Sequence, residues 1–301
     1  MNKKLMTIAG AIALGGVMLG ASAYAAISGT SGYDIYKQAL KNTYAVQSIT
    51  PKTEVTVKDN GNLLVKVDAT TKVNKADKSM SNSVTVASGN EKKTVDMYRQ
   101  DEKTITKSSD SDVYSVMEPG KEGKHKRVKG NEDDSSRIKD IENVADALVG
   151  NIQNYITLNS NPDGTNEVSL QMSDNQVSPV VNAVASLVIK NAAGRPGHKE
   201  YMGKTDSAFG ADLQDKIPKL VDNIRVSRVD VNAKINKDNF IQDQTENFIV
   251  TGTDANGKTH ELSVSINTSF TGYNSTTPDK VDLNGKQVKS VQHEQYRRES
   301  E

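Results

Sequence analysis

Residues 252–259 match the pattern of a phosphate-binding loop, G-x-x-x-x-G-K-[ST]. Such a loop needs a strand before it and a helix after it, because the helix N-terminus and the loop N–H groups hold the phosphate. The residues from Glu261 to Phe270 instead alternate between apolar and polar, as those of a strand do. We therefore predict a hairpin turn around Asp254–Gly257 and no nucleotide site.

A second motif, Asn159–Gly164, resembles the start of a calcium-binding EF-hand loop. The twelfth position of that loop requires a bidentate glutamate, and Leu170 stands there in this chain. We therefore predict an ordinary turn at these residues and no metal site.

The candidates for catalysis are also incomplete. Ser136–Lys139 matches S-x-x-K and Ser173–Asn175 matches S-D-N, but the K-T-G that completes the penicillin-binding set is missing. The histidines are separated in sequence and form no H-E-x-x-H; they are His125, His198, His260 and His293. We predict no catalytic residue and no cofactor, so that the protein is not an enzyme.

The composition excludes several classes of partner and chemistry. The chain of 301 residues has no cysteine, which rules out disulfides, thiolate zinc sites and thiol nucleophiles. Without Lys3 and Lys4 the remainder carries 36 basic and 38 acidic residues, a net charge of −2. This balance argues against nucleic acid as a partner. We interpret the basic run 121–129 as a solvated loop.

The N-terminus has the features of an export signal. Lys3 and Lys4 precede an apolar stretch from Met6 to Leu19, and Ala23-Tyr24-Ala25 fits the small-x-small rule for cleavage. We predict that residues 1–25 form a signal peptide and that the protein is extracytoplasmic, either secreted or in the cell envelope. The alternative is an uncleaved anchor, since Met6–Ala26 is just long enough to span a bilayer, and the protein would then lie close to the membrane.

The hydrophobic pattern predicts two β-rich stretches around two helices. Residues 31–46 favour a first helix, capped by Ser31 with Asp34, whose core face carries Tyr33, Tyr36, Leu40 and Tyr44. From residue 52 to about 128 the period changes to two, with a tight turn at Asn60-Gly61. The same period returns near Ile224, with a bulge expected at Ser227–Arg228 because the apolar parity changes there.

Two more helices are expected in the middle of the chain. After the cap at residues 131–136, an amphipathic stripe runs through Leu148 and Ile152 to Tyr155 or Ile156. A short strand with Val168, Leu170 and Met172 follows, and a third helix begins at Ser178. The third helix, Val180–Ile189, is apolar almost all round, so it must be enclosed by protein or face an apolar ligand.

Together these elements predict an α+β fold, in which a curved, mostly antiparallel sheet, an incomplete β-barrel, packs on about three helices. We predict one such domain at residues 26–289 and a charged, flexible tail at residues 290–301.

The order of the elements, behind an export signal, resembles that of the lipoprotein-carrier-like proteins, the LolA and LppX group. The resemblance is one of layout over about residues 31–288 and involves no diagnostic motif. It implies a half-barrel around helices, with an apolar cavity that holds acyl chains. The residues positioned to line that cavity here are Leu148, Ile152, Val180, Val184, Leu187 and Val188.

Three hypotheses for the function follow. The first is a non-enzymatic exported envelope protein that binds a lipid, a lipopeptide or another apolar ligand between the sheet and the helices. The second is a structural or protein-interaction module at the cell surface, in which the same side chains fill the core and the partner is an envelope protein. The third, an exported hydrolase, has no motif in its favour.

Overall fold

The computed structural model describes residues 31–118, 152, 155–179, 182 and 216–291. These residues form one helix and twelve strands, so the fold is mostly β. The predicted α+β class with about three helices is therefore wrong. The expected signal segment, most of the second and third helices and most of the charged tail lie outside the described residues.

The helix α1, Gly32–Ala45, confirms the first predicted helix. Ser31 caps it through a full capping box, because the Ser31 hydroxyl accepts from the Asp34 N–H while the Asp34 carboxylate accepts from the Ser31 N–H. The buried face differs from the prediction in its last turn, where Thr43 is buried and Tyr44 is 66% exposed. Thr43 is held inside because its hydroxyl donates to Ala39 O and accepts from the Ile241 N–H.

The strands carry most of the chain. They are β1 (Ser48–Asp59), β2 (Asn62–Asn74), β3 (Ser79–Ser88), β4 (Glu91–Gln100), β5 (Lys103–Ser108), β6 (Tyr114–Met117), β7 (Ile156–Ser160), β8 (Asn166–Ser173), β9 (Asp222–Ile235), β10 (Ile241–Thr253), β11 (Thr259–Thr271) and β12 (Val288–Ser290). Val168, Leu170 and Met172 are buried on β8, as the alternation predicts.

All twelve strands belong to one sheet, in the order β12-β6-β5-β4-β3-β2-β1-β11-β10-β9-β8-β7. Neighbouring strands are antiparallel except for β12 and β6, which are parallel. The sheet is open, since β12 and β7 at its two edges do not pair with each other. The N-terminal and C-terminal β stretches meet inside the sheet, where β1 pairs with β11.

The predicted hairpin turns are confirmed. Asn60 and Gly61 connect β1 to β2 with φ values of 48° and 84°, which is the conformation of a two-residue hairpin turn. Asp254–Gly257 connects β10 to β11, and the Asp254 carboxylate accepts from the N–H groups of Asn256 and Lys258. A strand and not a helix follows this turn, so the match to a phosphate-binding loop is accidental.

The predicted bulge is also confirmed. Ile249 pairs with Arg228 and Val250 pairs with Val226, so Ser227 is the extra residue on β9. A second bulge, which we did not predict, leaves Leu64 unpaired on β2 between Leu63 and Val65. It reverses the parity there, so Leu63 is 57% exposed while Leu64 packs on the core.

One face of the sheet, called here the inner face, carries α1 and the largest hydrophobic cluster. The helix contacts β7, β8, β9 and β10. Its buried Tyr36 and Ala39 pack among side chains of β8 to β11 such as Leu170, Val231 and Val250. A smaller cluster on β1 to β3 continues the same face with Val57, Val65, Val67 and Val86.

The C-terminal segment, defined as residues 272–291, crosses the opposite, outer face near one end of β1 to β6. The Thr276 N–H donates to the Ser48 hydroxyl at 3.0 Å, and the Asp279 N–H donates to the Ser81 hydroxyl at 2.9 Å. Val281 exchanges two hydrogen bonds with the Gln100 side chain. The segment bonds to three strands, β1, β3 and β4, before it ends as β12 beside β6.

Of the helices within the described ranges, none is long and apolar enough to cross a membrane.

Candidate functional site

The inner face contains a row of eight residues that are aligned strand by strand from β7 to β3. Successive antiparallel partners place them side by side, because residues directly opposite each other point to the same face. In order they are Ile156, Leu170, Val231, Glu246, Ile266, Val55, Val67 and Val86. Seven of the eight are aliphatic, and Glu246 lies in the middle of the row.

The adjacent row on one side is apolar throughout. It consists of Met172, Val229, Phe248, Val264, Val57 and Val65. The adjacent row on the other side carries Gln244 on β10, between Ala233 of β9 and Thr268 of β11. Glu246 is thus a carboxyl group set into a surface of carbon, with one polar neighbour on its own strand.

Burial changes the acid–base behaviour of this carboxyl group. Glu246 is 3% exposed, and its Oε2 atom has no hydrogen-bond partner among the described residues. Desolvation of the charged form raises the pKa of Glu246 from 4.5 to about 7, an effect that the hydrogen bond from Gln244 partly offsets. The group is therefore poised to gain or lose a proton near neutral pH.

A directional hydrogen-bond chain leads from α1 to this carboxyl. A carboxylate can only accept, so Gln244 must present its Nε2 amide to Glu246 Oε1. The Gln244 Oε1 atom then faces Tyr36, whose hydroxyl donates to it at 2.8 Å. The chain Tyr36–Gln244–Glu246 fixes one carboxylate oxygen and leaves the other as an unused acceptor.

A pocket lies beside the row, between α1 and strands β7 to β9. Its free volume is about 10 Å³, and it is lined by Tyr36, Ile156, Val168, Leu170 and Val231. Three of these, Ile156, Leu170 and Val231, are the row neighbours of Glu246 toward β7. The pocket wall is carbon except for the Tyr36 hydroxyl, which is already bonded to Gln244.

The structure describes one of the six residues predicted to line a cavity. Ile152 is 5% exposed and packs in the same hydrophobic cluster as Tyr36 and Val231. The other predicted lining residues, Leu148, Val180, Val184, Leu187 and Val188, lie outside the described residues and stay predictions. Ile156, the last position of the predicted amphipathic stripe, begins strand β7 and lines the pocket from there.

A second cluster of titratable groups lies where the β1–β2 and β10–β11 turns meet. His260 is 4% exposed, and its Nδ1 lies 2.9 Å from Asp59 Oδ2. Its Nε2 lies 3.5 Å from Asp254 Oδ2, on the far side of the ring. Hydrogen bonds from the Lys258 and Asn256 N–H groups, followed by His260, lower the pKa of Asp254. The imidazole thus joins two hairpins, which is a structural role.

The remaining sequence motifs occupy turns. Asn159–Gly164 covers the end of β7 and most of the β7–β8 turn, where the Asp163 carboxylate accepts from the N–H and the hydroxyl of Thr165. Ser173 is the last residue of β8, and its N–H and hydroxyl both donate to Gln176 Oε1 in the turn that follows. Within the described residues no group of three or more His, Asp or Glu side chains is placed to hold a metal ion.

The sequence contained a signal for Glu246 that our sequence analysis missed. On β10, Gln244, Glu246, Phe248 and Val250 share one parity, and Phe248 and Val250 are apolar. The same alternation, followed from Phe248 toward the start of β10, places the charged Glu246 on the apolar face. A charged residue on an apolar face is unusual, and it indicates a candidate functional site.

Comparison with known proteins identifies no family. No family model matches the chain, and no curated protein matches it. Among solved structures, a LolA superfamily protein from Nitrosomonas europaea aligns over 85% of this chain and 97% of its own, with 8% sequence identity and a TM-score of 0.15. At that TM-score the likeness supports no argument about function, so the resemblance to carrier-like proteins stays a prediction.

Proposed function

We propose that this protein is a non-enzymatic, exported protein of the cell envelope that binds an apolar ligand on the inner face of its sheet. The observation that carries the proposal is the inner face itself, where two adjacent rows of apolar side chains run across the sheet and a small carbon-lined pocket lies beside them.

The size of the pocket limits the ligand. Its free volume is about 10 Å³, which is room for about one water molecule and far below the roughly 300–1,000 Å³ of sites that enclose drug-sized molecules. We therefore expect a slender alkyl or acyl chain to lie along the apolar rows beside the pocket and not inside it. The rows of valine and isoleucine that continue from the pocket toward β3 provide further apolar surface along which such a chain packs.

The first test is native mass spectrometry of the protein purified from the cells that produce it. We expect a bound apolar molecule at one copy per chain, released by organic extraction. Protein that is free of ligand in this experiment, and that also fails to bind decanol in calorimetry, contradicts the proposal.

A substitution at Ile156 tests where the ligand binds. Ile156→Phe places a larger side chain in the pocket from edge strand β7, and we expect it to weaken decanol binding by about tenfold. Val288→Phe is the matched control, because Val288 lies on the opposite edge strand β12 and is 47% exposed. Equal affinity in the two variants would place the ligand elsewhere.

The second candidate is a structural or protein-interaction module at the cell surface. It is favoured by the open edge of the sheet at β7, where an extended segment of a partner can add a strand. A stoichiometric envelope protein recovered with the chain, together with ligand-free mass spectra, would support this candidate over ligand binding.

A further inference from the structure

Glu246 is a buried acid whose surroundings suit its neutral form. Across the sheet it faces Val231 on β9 and Ile266 on β11, and its Oε2 atom accepts no hydrogen bond from any described residue. The charged form of a buried carboxyl is strongly unfavourable without a partner, whereas the protonated form costs much less. The packing seen around Glu246 is therefore the packing of the protonated acid.

The groups that face Glu246 offer no positive charge to compensate ionisation. From α1 they are Tyr36 and Tyr44, and desolvation, followed by the negative charge of Glu246, raises the pKa of both phenols. Gln244, on β10 itself, is an uncharged amide. No lysine, arginine or histidine in the described ranges forms an ion pair with Glu246. An ionised Glu246 therefore needs water, and a neighbouring element must move to admit it because the side chain is 3% exposed.

Helix α1 is the described element that faces Glu246 from outside the sheet. The Tyr36 hydroxyl donates to Gln244 Oε1 at 2.8 Å, and Gln244 donates in turn to Glu246 Oε1. The helix packs on β7 to β10, the region of the sheet that contains Glu246. Its position and the protonation state of Glu246 are thus linked through one hydrogen-bond chain.

The attachment of α1 is weaker than that of the strands beside Glu246. Strand β10 pairs with β9 and β11 along most of its length, inside the sheet. The helix is attached through side chains: Asn42 Nδ2 donates to Asn239 O at 3.1 Å, and the Thr43 hydroxyl accepts from the Ile241 N–H at 2.9 Å. Local opening draws on the less firmly held elements of a fold. Moving α1 therefore costs less than separating β10 from its neighbours.

We propose that α1 is a pH-dependent cover of the inner face, which packs on the sheet while Glu246 is protonated and is released when Glu246 ionises. Release uncovers apolar residues on which the helix packs, such as Leu170, Val231 and Val250. In assigning this movement to ligand entry the inference rests on the proposed function, but the movement itself is tested without a ligand.

The direction of the pH effect follows from the two states of Glu246. Burial raises the pKa of Glu246 to about 7 in the closed form, and water returns it toward the ordinary 4.5 once α1 has moved. Protonation therefore favours the closed form, and this preference is lost as the pH rises from 4.5 through 7.

Hydrogen exchange of the ligand-free protein at pH 5 and pH 8, corrected for the intrinsic exchange rates, measures the opening of α1. The two pKa values imply that the opening equilibrium rises on the order of 50-fold between these pH values. We expect amides of α1 to lose protection by that factor. Amides of β10 and β11 should keep theirs, because the sheet stays intact when the helix moves.

Two variants connect the opening to Glu246. Glu246→Gln keeps the shape and stays neutral, so the protection of α1 should be the same at both pH values. Glu261→Gln is the matched control, because Glu261 is an exposed glutamate on the adjacent strand β11, and it should show the loss seen in the wild type. The comparison of α1 with β10 in the wild type needs no variant.

Three results overturn the inference. The first is protection of α1 in the wild type that does not change with pH, and the second is an equal loss in Glu246→Gln. The third is an equal loss in α1 and β10, which means that the whole domain is destabilised.

Decanol binding by the wild type at pH 8 separates the inference from the proposed function. A helix that stays closed in a protein that binds decanol overturns the inference alone. A helix that is released in a protein that binds no decanol supports the movement but overturns the proposed function and the role of α1 in ligand entry.

Discussion

The two faces of the sheet differ in how their buried polar groups are hydrogen-bonded. On the outer face, Ser48 and Ser81 are buried, and each hydroxyl is bonded to a backbone N–H of the C-terminal segment. On the inner face, Glu246 is buried to the same degree, but one of its oxygens has no partner among the described residues.

The difference lies in whether the buried polar group is fully hydrogen-bonded. A buried polar group that serves only the fold is normally hydrogen-bonded, since leaving it unpaired costs about 1–3 kcal/mol. The outer face follows this rule, and its bonds hold a chain segment in place. The inner face departs from it at the Glu246 carboxyl, in a row of aliphatic residues, and at Asp59 Oδ1 and His260 Nε2, where two hairpins meet.

The largest expected effect is on the pH dependence of stability and comes from Glu246 on the inner face. Its pKa is raised in the folded protein to about 7, so protonation favours folding, and this stabilisation is lost as the pH rises from about 4.5 through 7. Relative to Glu246→Gln, which does not titrate, the ligand-free wild type should lose about 3 kcal/mol of unfolding free energy between pH 4.5 and 8. Chemical denaturation at several pH values measures this difference.

The control for this experiment is Glu261→Gln, which removes an exposed carboxyl from the adjacent strand β11. If Glu246→Gln were less stable than the wild type near pH 8, Glu246 would have a partner within the chain, and the interpretation of the inner face would be wrong.

A smaller effect is expected where the outer-face segment begins. Gly272 has φ +65°, and a Cβ added there would lie too close to the Thr276 hydroxyl, which donates to Gly272 O. Gly272→Ala should therefore cost about 2 kcal/mol through backbone strain and a displaced segment. Thermal unfolding should show this loss at every pH, with decanol affinity unchanged.

Gly285→Ala is its matched control, because Gly285 also has a positive φ of +69° but open space around it. It should cost only about 1 kcal/mol, the left-handed conformation alone. Equal losses in the two variants would show that the contact with Thr276 does not matter.

The smallest expected effect concerns the hydrogen-bond chain Tyr36–Gln244–Glu246 on the inner face. Tyr36→Phe keeps the ring in the core but leaves Gln244 Oε1 without its donor, which should cost about 1–2 kcal/mol. Chemical denaturation measures this cost. Tyr98→Phe on β4 is the control, and it should lose less stability.

Local patterns predicted much of the described fold. The capping box of α1, the Asn60-Gly61 turn and the bulge at Ser227 each depend on a few neighbouring residues, and each is confirmed. The predicted α+β class was wrong, because the class of a fold depends on how many strands join one sheet. The pairing of β1 with β11 joins segments some two hundred residues apart, and no local signal encodes it.

The site was harder to predict for a related reason. The resemblance pointed to six aliphatic residues, of which the structure describes only Ile152. Glu246 could have been found from the parity of β10, but its significance depends on Val231 and Ile266, which reach it only through the strand register. An isolated charge becomes informative only when its neighbours in the sheet are known.

The most direct test of the inner-face account is an NMR pH titration of the Glu246 side-chain carboxyl carbon, assigned by its absence in Glu246→Gln. The account predicts a pKa of about 7 in the ligand-free protein, because burial disfavours the charged form of the carboxyl. A pKa near 4.5 would contradict it.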